Sequence, residues 1–166
     1  MSVYNLIKKR RSIRHFSDKS VGKSKIIKIL DAARWAPSGL NNQPWRFVVI
    51  NNKKLKARVS KFTKYSFIIS KASSLILVFL DRKSSYNPTK DAMAIGASIQ
   101  NMLLCTEEQG LSSCWLGEIL NQKQKVNKLL KIKRQYDLMA AIALGYSSKK
   151  AKSMRMNLDK LILKEL

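Results

Sequence analysis

With 166 residues, the chain has the length expected of one domain, spanning residues 1–166, and it is long enough to bury a hydrophobic core. Its hydrophobic content of 45% excludes a disordered chain, and it shows neither an apolar run of about 20 residues, as a membrane span needs, nor the apolar core of a signal peptide. Its two cysteines form no C-x-x-C pair and have no second His or Cys cluster to complete a zinc site, so we expect a soluble, cytoplasmic protein with free thiols.

The net charge of +23 bears on the kind of partner the chain binds. The electric field of so large a positive charge attracts polyanions, so one hypothesis is a basic nucleic-acid-binding or anion-binding protein without enzymatic activity. The lysines, however, are spread from Lys8 to Lys164 at spacings typical of solvated helix faces. Arg10, Arg11 and Arg14 instead lie close together, and the guanidinium fork suits phosphate. We interpret the lysines as surface and the arginines as a binding site, with nucleic acid a disfavoured partner.

The first predicted elements are a short helix capped by Ser2 and a basic segment that follows it, residues 10–16, here called the arginine segment. In an extended conformation the side chains of Arg10, Ser12 and Arg14 would face one way. A phosphate or an electron-rich ring edge would fit that face. The alternative is a basic patch at the end of a helix, where cations are favoured in any case.

A second helix is predicted from a Ser24 cap to the start of a polar loop, residues 36–45, here called the proline loop. The i, i+3, i+4 pattern that predicts this helix is found at Ile26, Ile27, Leu30, Ala33 and Arg34. Pro37 and Pro44 prevent a helix from continuing through the loop. Its short amide and hydroxyl side chains suit the edge of a flat, polar heterocycle, although an ordinary helix-to-strand connection is an equal alternative.

The rest of the chain alternates between strand and helix patterns, which favours a layered α/β or α+β domain. The predicted elements are a strand at Phe47–Ile50, a helix from Lys53 to about Tyr65, a buried strand at 74–80, a helix from Thr89 to Glu108, a helix from Asn121 to Leu130 and a strand at 138–145. The helix from Thr89 is apolar nearly all round. Its small residues, Ala92, Gly96, Ala97 and Ser98, predict close packing against a second subunit.

Several common sites are absent from the sequence. There is no G-x-G-x-x-G fingerprint and no phosphate-binding G-x-x-x-x-G-K motif. His15 is the only histidine, and no G-x-S-x-G nucleophile pattern accompanies it, which argues against hydrolase chemistry. A nucleotide would therefore have to bind by other means.

Four segments in order carry a resemblance to a known family. They are Arg10-Arg11-Ser12-Ile13-Arg14-His15-Phe16, residues 33–47 with the core Pro37-Ser38-Gly39-Leu40-Asn41, residues 96–104, and Gly110-Leu111-Ser112-Ser113-Cys114-Trp115-Leu116-Gly117. Together they resemble the nitroreductase family of flavin enzymes over nearly the whole chain. The resemblance implies an α+β fold with a central mixed sheet flanked by helices, and an interlocked homodimer that binds FMN at two subunit-interface sites.

The same resemblance implies roles for individual residues. Arg10, Arg11, Ser12 and Arg14 would contact the phosphate, ribityl chain and pyrimidine edge of FMN; Pro37, Ser38, Gly39 and Asn41 would come from the other subunit; Leu116 and Gly117 would approach the flavin N5; and Arg155 would bind phosphate. Relatives often carry a lysine two residues before that arginine. Here the position is Ser153, and Lys152 is the neighbouring cation that could substitute for it.

The expected activity is hydride transfer from NADH or NADPH through FMN to a flat acceptor, such as a nitroaromatic or a quinone, in a ping-pong sequence. No catalytic side chain is required, since the flavin carries the chemistry, and Arg14 is the candidate cation for its N1 and O2 edge. Dehalogenation or flavin breakdown by a specialised relative is an alternative. Cys114 is interpreted as a buried structural thiol rather than a reactive one.

Overall fold

The computed structural model describes residues 2–164 and shows helices packed on both faces of one antiparallel sheet. Its elements are α1 (Val3–Lys9), α2 (Lys23–Arg34), β1 (Trp45–Ile50), α3 (Lys53–Ser60), α4 (Ser66–Lys71), β2 (Ser74–Asp81), α5 (Pro88–Glu108), β3 (Ser112–Leu116), α6 (Lys123–Leu130) and β4 (Tyr136–Gly145), with short 3₁₀ turns at Gly39–Asn41, Glu118–Gln122 and Leu158–Lys160. This is the predicted α+β fold. None of the helices within the described range is long and apolar enough to cross a membrane.

The sheet has the strand order β1-β2-β4-β3, so β1 and β3 are its two edges. All three strand pairs are antiparallel. The parallel component of the predicted mixed sheet is confined to one isolated bridge between Ser12 and Ser113, where the Ile13 N–H donates to the Ser113 carbonyl at 2.9 Å. The arginine segment is therefore attached to the β3 edge.

Strand β2 lies at the centre of the core, and all eight of its residues are buried. Because alternate side chains point to opposite faces, Ile76 and Val78 pack with α2 and α5, whereas Leu75 and Leu77 pack on the side of α3, α4 and α6. This confirms the prediction that the apolar run at 74–80 is a strand buried on both faces.

Two predicted boundaries are wrong, and in both cases a long-range contact decides the outcome. Helix α2 starts at Lys23 with Gly22 as its N-cap, not at a Ser24 cap, because the Val21 N–H is already anchored to Ser73 Oγ at 2.8 Å. The helix predicted to run to Tyr65 ends at Ser60 and is followed by a turn and by α4. That turn is held by the carboxylate of Glu118, far away in the sequence.

Two other expectations change in detail. The buried face of α2 contains Ile29 rather than Ile27, whose side chain is 55% exposed, because only one face of the helix meets α5. Strand β3 is missing from the prediction, since five residues of mixed polarity carry no clear alternation and become a strand by pairing with β4.

Helix α5 has one face that its own chain leaves uncovered. Ser98 is fully buried, so it packs inside the chain and is not available to a partner. Gly96 instead borders open space, because a Cβ added there would meet no atom within 4 Å. Met93, one turn earlier, is 68% exposed. The uncovered face is thus narrower than the sequence suggested and centres on Met93 and Gly96.

Candidate cofactor site

The arginine segment leaves α1 in an extended conformation and runs beside β3. Ile13 is buried against the core, whereas Ser12 is half-buried and Arg14 is exposed. This alternation follows from the extended backbone, in which neighbouring side chains point in opposite directions. The predicted common face of Arg10, Ser12 and Arg14 is therefore available outside the core.

Arg10 lies at the centre of a group of cations. Burial lowers the pKa of its guanidinium, and the neighbouring charges of Arg11 and Arg155 lower it further, while Glu107 acts in the opposite direction. The tail arginine Arg155 therefore lies close enough to Arg10 for its charge to act on the Arg10 guanidinium. The charges of Arg11 and Arg155 thus both act on Arg10, and the carboxylate of Glu107 opposes them.

Individual hydrogen bonds hold two of these cations in place. Arg11 donates from Nη1 to the carbonyls of Lys8 and Arg10, and its Nε is buried with no partner among the described residues. Arg155 donates from Nη1 to Ser153 Oγ and to the Met154 carbonyl, each at 2.8 Å. An unsatisfied buried donor beside clustered guanidinium groups fits an anionic group such as a phosphate.

The segment at the end of β3 borders open space. Leu116 is buried, but a Cβ added to Gly117 would meet no atom within 4 Å, so its backbone is open to approach. The next residue, Glu118, accepts hydrogen bonds from Thr63 Oγ1 at 2.6 Å and from the Lys64 N–H at 2.9 Å. These bonds lower the pKa of Glu118 and fix the chain immediately after Gly117.

Cys114 lies on β3 between these two segments. Its thiol is buried, and burial raises its pKa despite the opposing effect of Arg14 and Arg10. A thiol with a raised pKa is mostly protonated near neutral pH and is a poor nucleophile. Both cysteines are free, and Cys114 is the buried thiol that the sequence predicted.

The proline loop has a strained backbone. Leu40, Asn41 and Gln43 have φ angles of 54°, 52° and 45°, in the left-handed region that L-residues rarely occupy. Such a residue costs roughly 1–3 kcal/mol and persists only where the surroundings enforce it. Here Ser38 Oγ accepts from the Gln43 N–H at 3.0 Å, and the Leu40 side chain is 86% exposed. Strained residues of this kind cluster at binding and active sites, which is where the sequence predicted this loop to lie.

Gly39 in this loop lies directly against the ring of Tyr86. The hydroxyl oxygen of Tyr86 lies 1.8 Å from where a Cβ of residue 39 would be, so any side chain there would displace the tyrosine. Tyr86 belongs to the loop between β2 and α5, which the sequence analysis did not connect with the site. Its proximity to Gly39 is a tertiary contact with no local sequence signal.

Asp91 anchors both loops, and the sequence analysis missed it. It is fully buried on α5 and accepts from Asn42 Nδ2 at 2.7 Å, Ser85 Oγ at 2.6 Å, and the Tyr86 and Asn87 N–H groups at 3.0 and 3.1 Å. Burial alone would raise the pKa of this carboxyl, but the hydrogen bonds outweigh burial and lower it. An acidic residue in the first turn after Asn87-Pro88 was the available signal.

Replacing Asp91 by asparagine should reduce stability at neutral pH and flatten its acid dependence. Because the folded pKa lies below the unfolded value of about 3.9, the stabilisation is present above that value and is lost as pH falls through the folded pKa. Asparagine presents an NH₂ group to donors that need an acceptor, so we expect a loss of about 1.5 kcal/mol at pH 7. Urea unfolding from pH 7 to pH 3 measures it, with exposed Asp159→Asn as control. Parallel pH profiles for wild type and Asp91→Asn would contradict the prediction.

One chain does not bring the two groups of predicted site residues together. The arginine segment and Leu116–Gly117 lie at the β3 edge, whereas the proline loop leads into β1 at the opposite edge. The length of α5 gives the distance between the two groups. Lys9, beside the arginine segment, forms an ion pair with Glu107 near the C-terminal end of α5, and Asn42 of the proline loop donates to Asp91 near its start. At 1.5 Å per residue these anchor points are about 24 Å apart.

Comparison with known proteins places the chain in a family. The family model described as "Nitroreductase family" matches residues 7–78 and 61–146, which together span most of the chain. A protein of Archaeoglobus fulgidus with the provisional name NADH dehydrogenase/NAD(P)H nitroreductase is 33% identical over 144 residues, covering 85% of this chain and 83% of that protein. An iodotyrosine deiodinase of Thermotoga neapolitana is 27% identical, covering 87% of this chain and 88% of that protein.

The solved structures include a similar chain with a bound flavin. A crystal structure from Desulfovibrio desulfuricans, described as a provisional nitroreductase in complex with FMN, superposes with a TM-score of 0.96 at 42% identity. The match covers 99% of this chain and 96% of the other. The similarity therefore extends over the arginine segment, the proline loop, β3 and the tail.

Proposed function

Because this chain belongs to the nitroreductase family, we propose that it is an FMN-dependent oxidoreductase that carries a hydride from NADH or NADPH to a flat acceptor such as a nitroaromatic or a quinone. Donor and acceptor would use the site in turn, in a ping-pong sequence. The observation that carries the proposal is the cation group around Arg10, in which the buried Nε of Arg11 has no partner among the described residues and the charges of Arg11 and Arg155 act on Arg10. A clamp of this composition fits the phosphate of FMN.

Several residues of this chain would bind and orient FMN. Arg10, Arg11 and Arg155 would hold the phosphate, with Ser12 toward the ribityl chain. Arg14, exposed beside them, would place its charge near the pyrimidine edge, where negative charge develops in the reduced ring. The open backbone at Leu116 and Gly117 would leave room for the ring near N5. Bound FMN would supply the redox chemistry, taking up a hydride from the nicotinamide and passing it to the acceptor.

The remaining wall of the site would come from a second copy of the chain, in an interlocked homodimer. Pro37, Ser38, Gly39 and Asn41 lie on the far side of the sheet from the arginine segment in their own chain, so they would complete the site of the other subunit. The uncovered face of α5 and the largely exposed tail supply apolar surface for such an assembly, with Met154 at 94% exposure. Burying surface of this kind is what stabilises obligate dimers.

Purified full-length protein tests the proposal directly. We expect it to bind FMN with a change in flavin absorbance, and to oxidise NADH or NADPH at a rate that depends on an added quinone or nitroaromatic. Initial rates at several acceptor concentrations should give the parallel double-reciprocal lines of a ping-pong reaction. A protein that neither takes up FMN nor oxidises either nicotinamide would overturn the proposal and leave the anion-binding alternative.

A second candidate is reductive dehalogenation by the same flavin site. It is favoured by the similarity to the iodotyrosine deiodinase of Thermotoga neapolitana, which extends over most of both chains. Measuring iodide release from iodotyrosine by the FMN-loaded protein, with NADH or NADPH as the two-electron reductant, distinguishes the two reactions. Turnover of iodotyrosine well above that of quinones and nitroaromatics would replace the first assignment.

The serine at position 153 suggests a gain-of-binding test for the phosphate clamp. Ser153 orients Arg155 through a hydrogen bond but adds no charge of its own. Replacing it by lysine should tighten FMN binding by about ten-fold, since a charge-assisted contact to phosphate contributes roughly 1.5–3 kcal/mol and some of that offsets the lost orientation of Arg155. Fluorescence titration of FMN measures the affinity. The exposed Ser148→Lys is the control, and an equal gain from both variants would indicate general charge attraction.

A further inference from the structure

A basic cavity lies outside the candidate cofactor site, and we call it the lysine pocket. It has a volume of about 520 Å³ and is formed by the loop at residues 17–21, the start of α3 and the end of α4. The charged side chains that line it are Lys53, Lys56, Lys71 and Asp18. The pocket shares no residue with the arginine segment, the proline loop or the end of β3.

Lys56 is the unusual member of this pocket, because a lysine is rarely buried without a carboxylate. Its residue is only 2% exposed, and its Nζ donates to the carbonyls of Ala72 and Ser73. No ion pair within residues 2–164 involves Lys56. An ammonium has three N–H donors, and these two carbonyls use two of them.

The surrounding charges increase the need for an anion. Burial lowers the pKa of Lys56, and the nearby charge of Lys53 lowers it further, so two cations face the same space. Lys71 adds a third cation to the lining. Asp18 is the single acid there, and in the described part of the chain it forms no ion pair with any of the three lysines.

Neutral donors complete the lining. Ser73 Oγ accepts from the Val21 N–H, which leaves its own proton available. Asn51 accepts from Ser74 through Oδ1, so its NH₂ group has no partner among the side-chain bonds described. Cations together with hydroxyl and amide donors form the ligand set of an oxyanion such as phosphate.

We propose that the lysine pocket binds a compact phosphate-type oxyanion, free or carried on a small molecule. The competing explanation is that Lys56 only caps the carbonyls at the end of α4. That structural role accounts for the hydrogen bonds of Lys56, but it gives no reason for Lys53 and Lys71 to border the same cavity. The proposal does not depend on the activity proposed above.

The test uses the full-length protein with saturating FMN, so that any phosphate site at the arginine segment is already filled. Thermal unfolding is followed with increasing inorganic phosphate, against sodium chloride of the same ionic strength. We expect a saturable rise in Tm with phosphate alone. Lys53→Gln and Lys71→Gln, both at exposed positions that should not disturb folding, are expected to weaken phosphate binding about ten-fold. Exposed Lys54→Gln is the matched control.

Each outcome bears on the proposal. Absence of a saturable response in the FMN-loaded protein, or the same weakening in Lys54→Gln as in Lys53→Gln, would overturn it. Lys56→Gln is measured as well, but a loss of folding in that variant is expected from either explanation, so the decision rests on Lys53 and Lys71. A second arm replaces phosphate by glycerol 3-phosphate, and tighter binding of that molecule would identify a phosphorylated metabolite as the ligand class rather than the free ion.

Discussion

Introducing a glutamate at Gly96 is expected to abolish dimerisation and FMN binding together. Within one chain the substitution is harmless, because a Cβ at this position meets no atom within 4 Å and glutamate favours a helix more than glycine does. In a dimer packed on this face of α5, however, the carboxylate would be buried without a partner, at a cost of about 3 kcal/mol or more. That corresponds to a loss of dimer affinity of at least about a hundred-fold.

Light scattering with simultaneous flavin absorbance measures both effects. Wild type should have about twice the mass of the 19.0 kDa chain and carry FMN, whereas Gly96→Glu should be a colourless monomer with unchanged circular dichroism. Gln124→Glu, which makes the same charge change at an exposed position on α6, should stay a yellow dimer. A monomeric Gly96→Glu that is saturated with FMN and active would reject a site built from two chains while leaving the family assignment intact.

Replacing Arg10 by alanine should weaken FMN binding by about ten- to hundred-fold, since one charge-assisted contact to phosphate contributes roughly 1.5–3 kcal/mol. The charges of Arg11 and Arg155 both lower the pKa of Arg10, so replacing Arg10 removes the central cation of the group. The remaining cations should keep some binding, and raised FMN concentrations should therefore restore activity. Fluorescence titration gives the affinity, and turnover at saturating FMN shows whether the chemistry is intact.

Arg58→Ala is the matched control for this experiment. It removes an arginine from the exposed face of α3 and changes the net charge by the same amount. If general attraction by the +23 chain governs FMN binding, both variants should weaken it equally. If the clamp governs FMN binding, only Arg10→Ala should weaken it. The difference between the two variants should then persist at about 0.5 M salt, because salt at that concentration screens charge interactions beyond a few ångströms but leaves direct contacts in place.

The proline loop and Asp91 show why parts of the candidate site were hidden in the sequence. Pro37 and Pro44 predict a loop, because proline fixes the backbone φ angle and lacks an N–H group wherever it occurs. The left-handed conformation of Leu40 has no such local cause, since leucine disfavours it. The loop that contains Leu40 is tied to α5 by the hydrogen bond from Asn42 to Asp91, a contact between residues far apart in the sequence.

The sequence by itself determined those features that local physics controls. The continuous apolar run at 74–80 predicts a strand from its composition alone, and the basic character of the arginine segment is likewise a property of the sequence. The four segments that resemble the nitroreductase family can likewise be read from residue identities and their order. They predicted the family and the α+β fold, and the comparisons confirm both.

Only the tertiary structure decided which distant residues share a space. It placed Arg155 within range of the charge of Arg10 and turned residues 112–116 into an edge strand through pairing with β4. It ended α3 at Ser60, where Glu118 holds the following turn. It also left the proline loop and the arginine segment at opposite edges of the sheet. The physical reason is that long-range pairings and packing energies outweigh the weak local preferences of short, mixed-polarity segments, so those segments take the conformation that their neighbours impose.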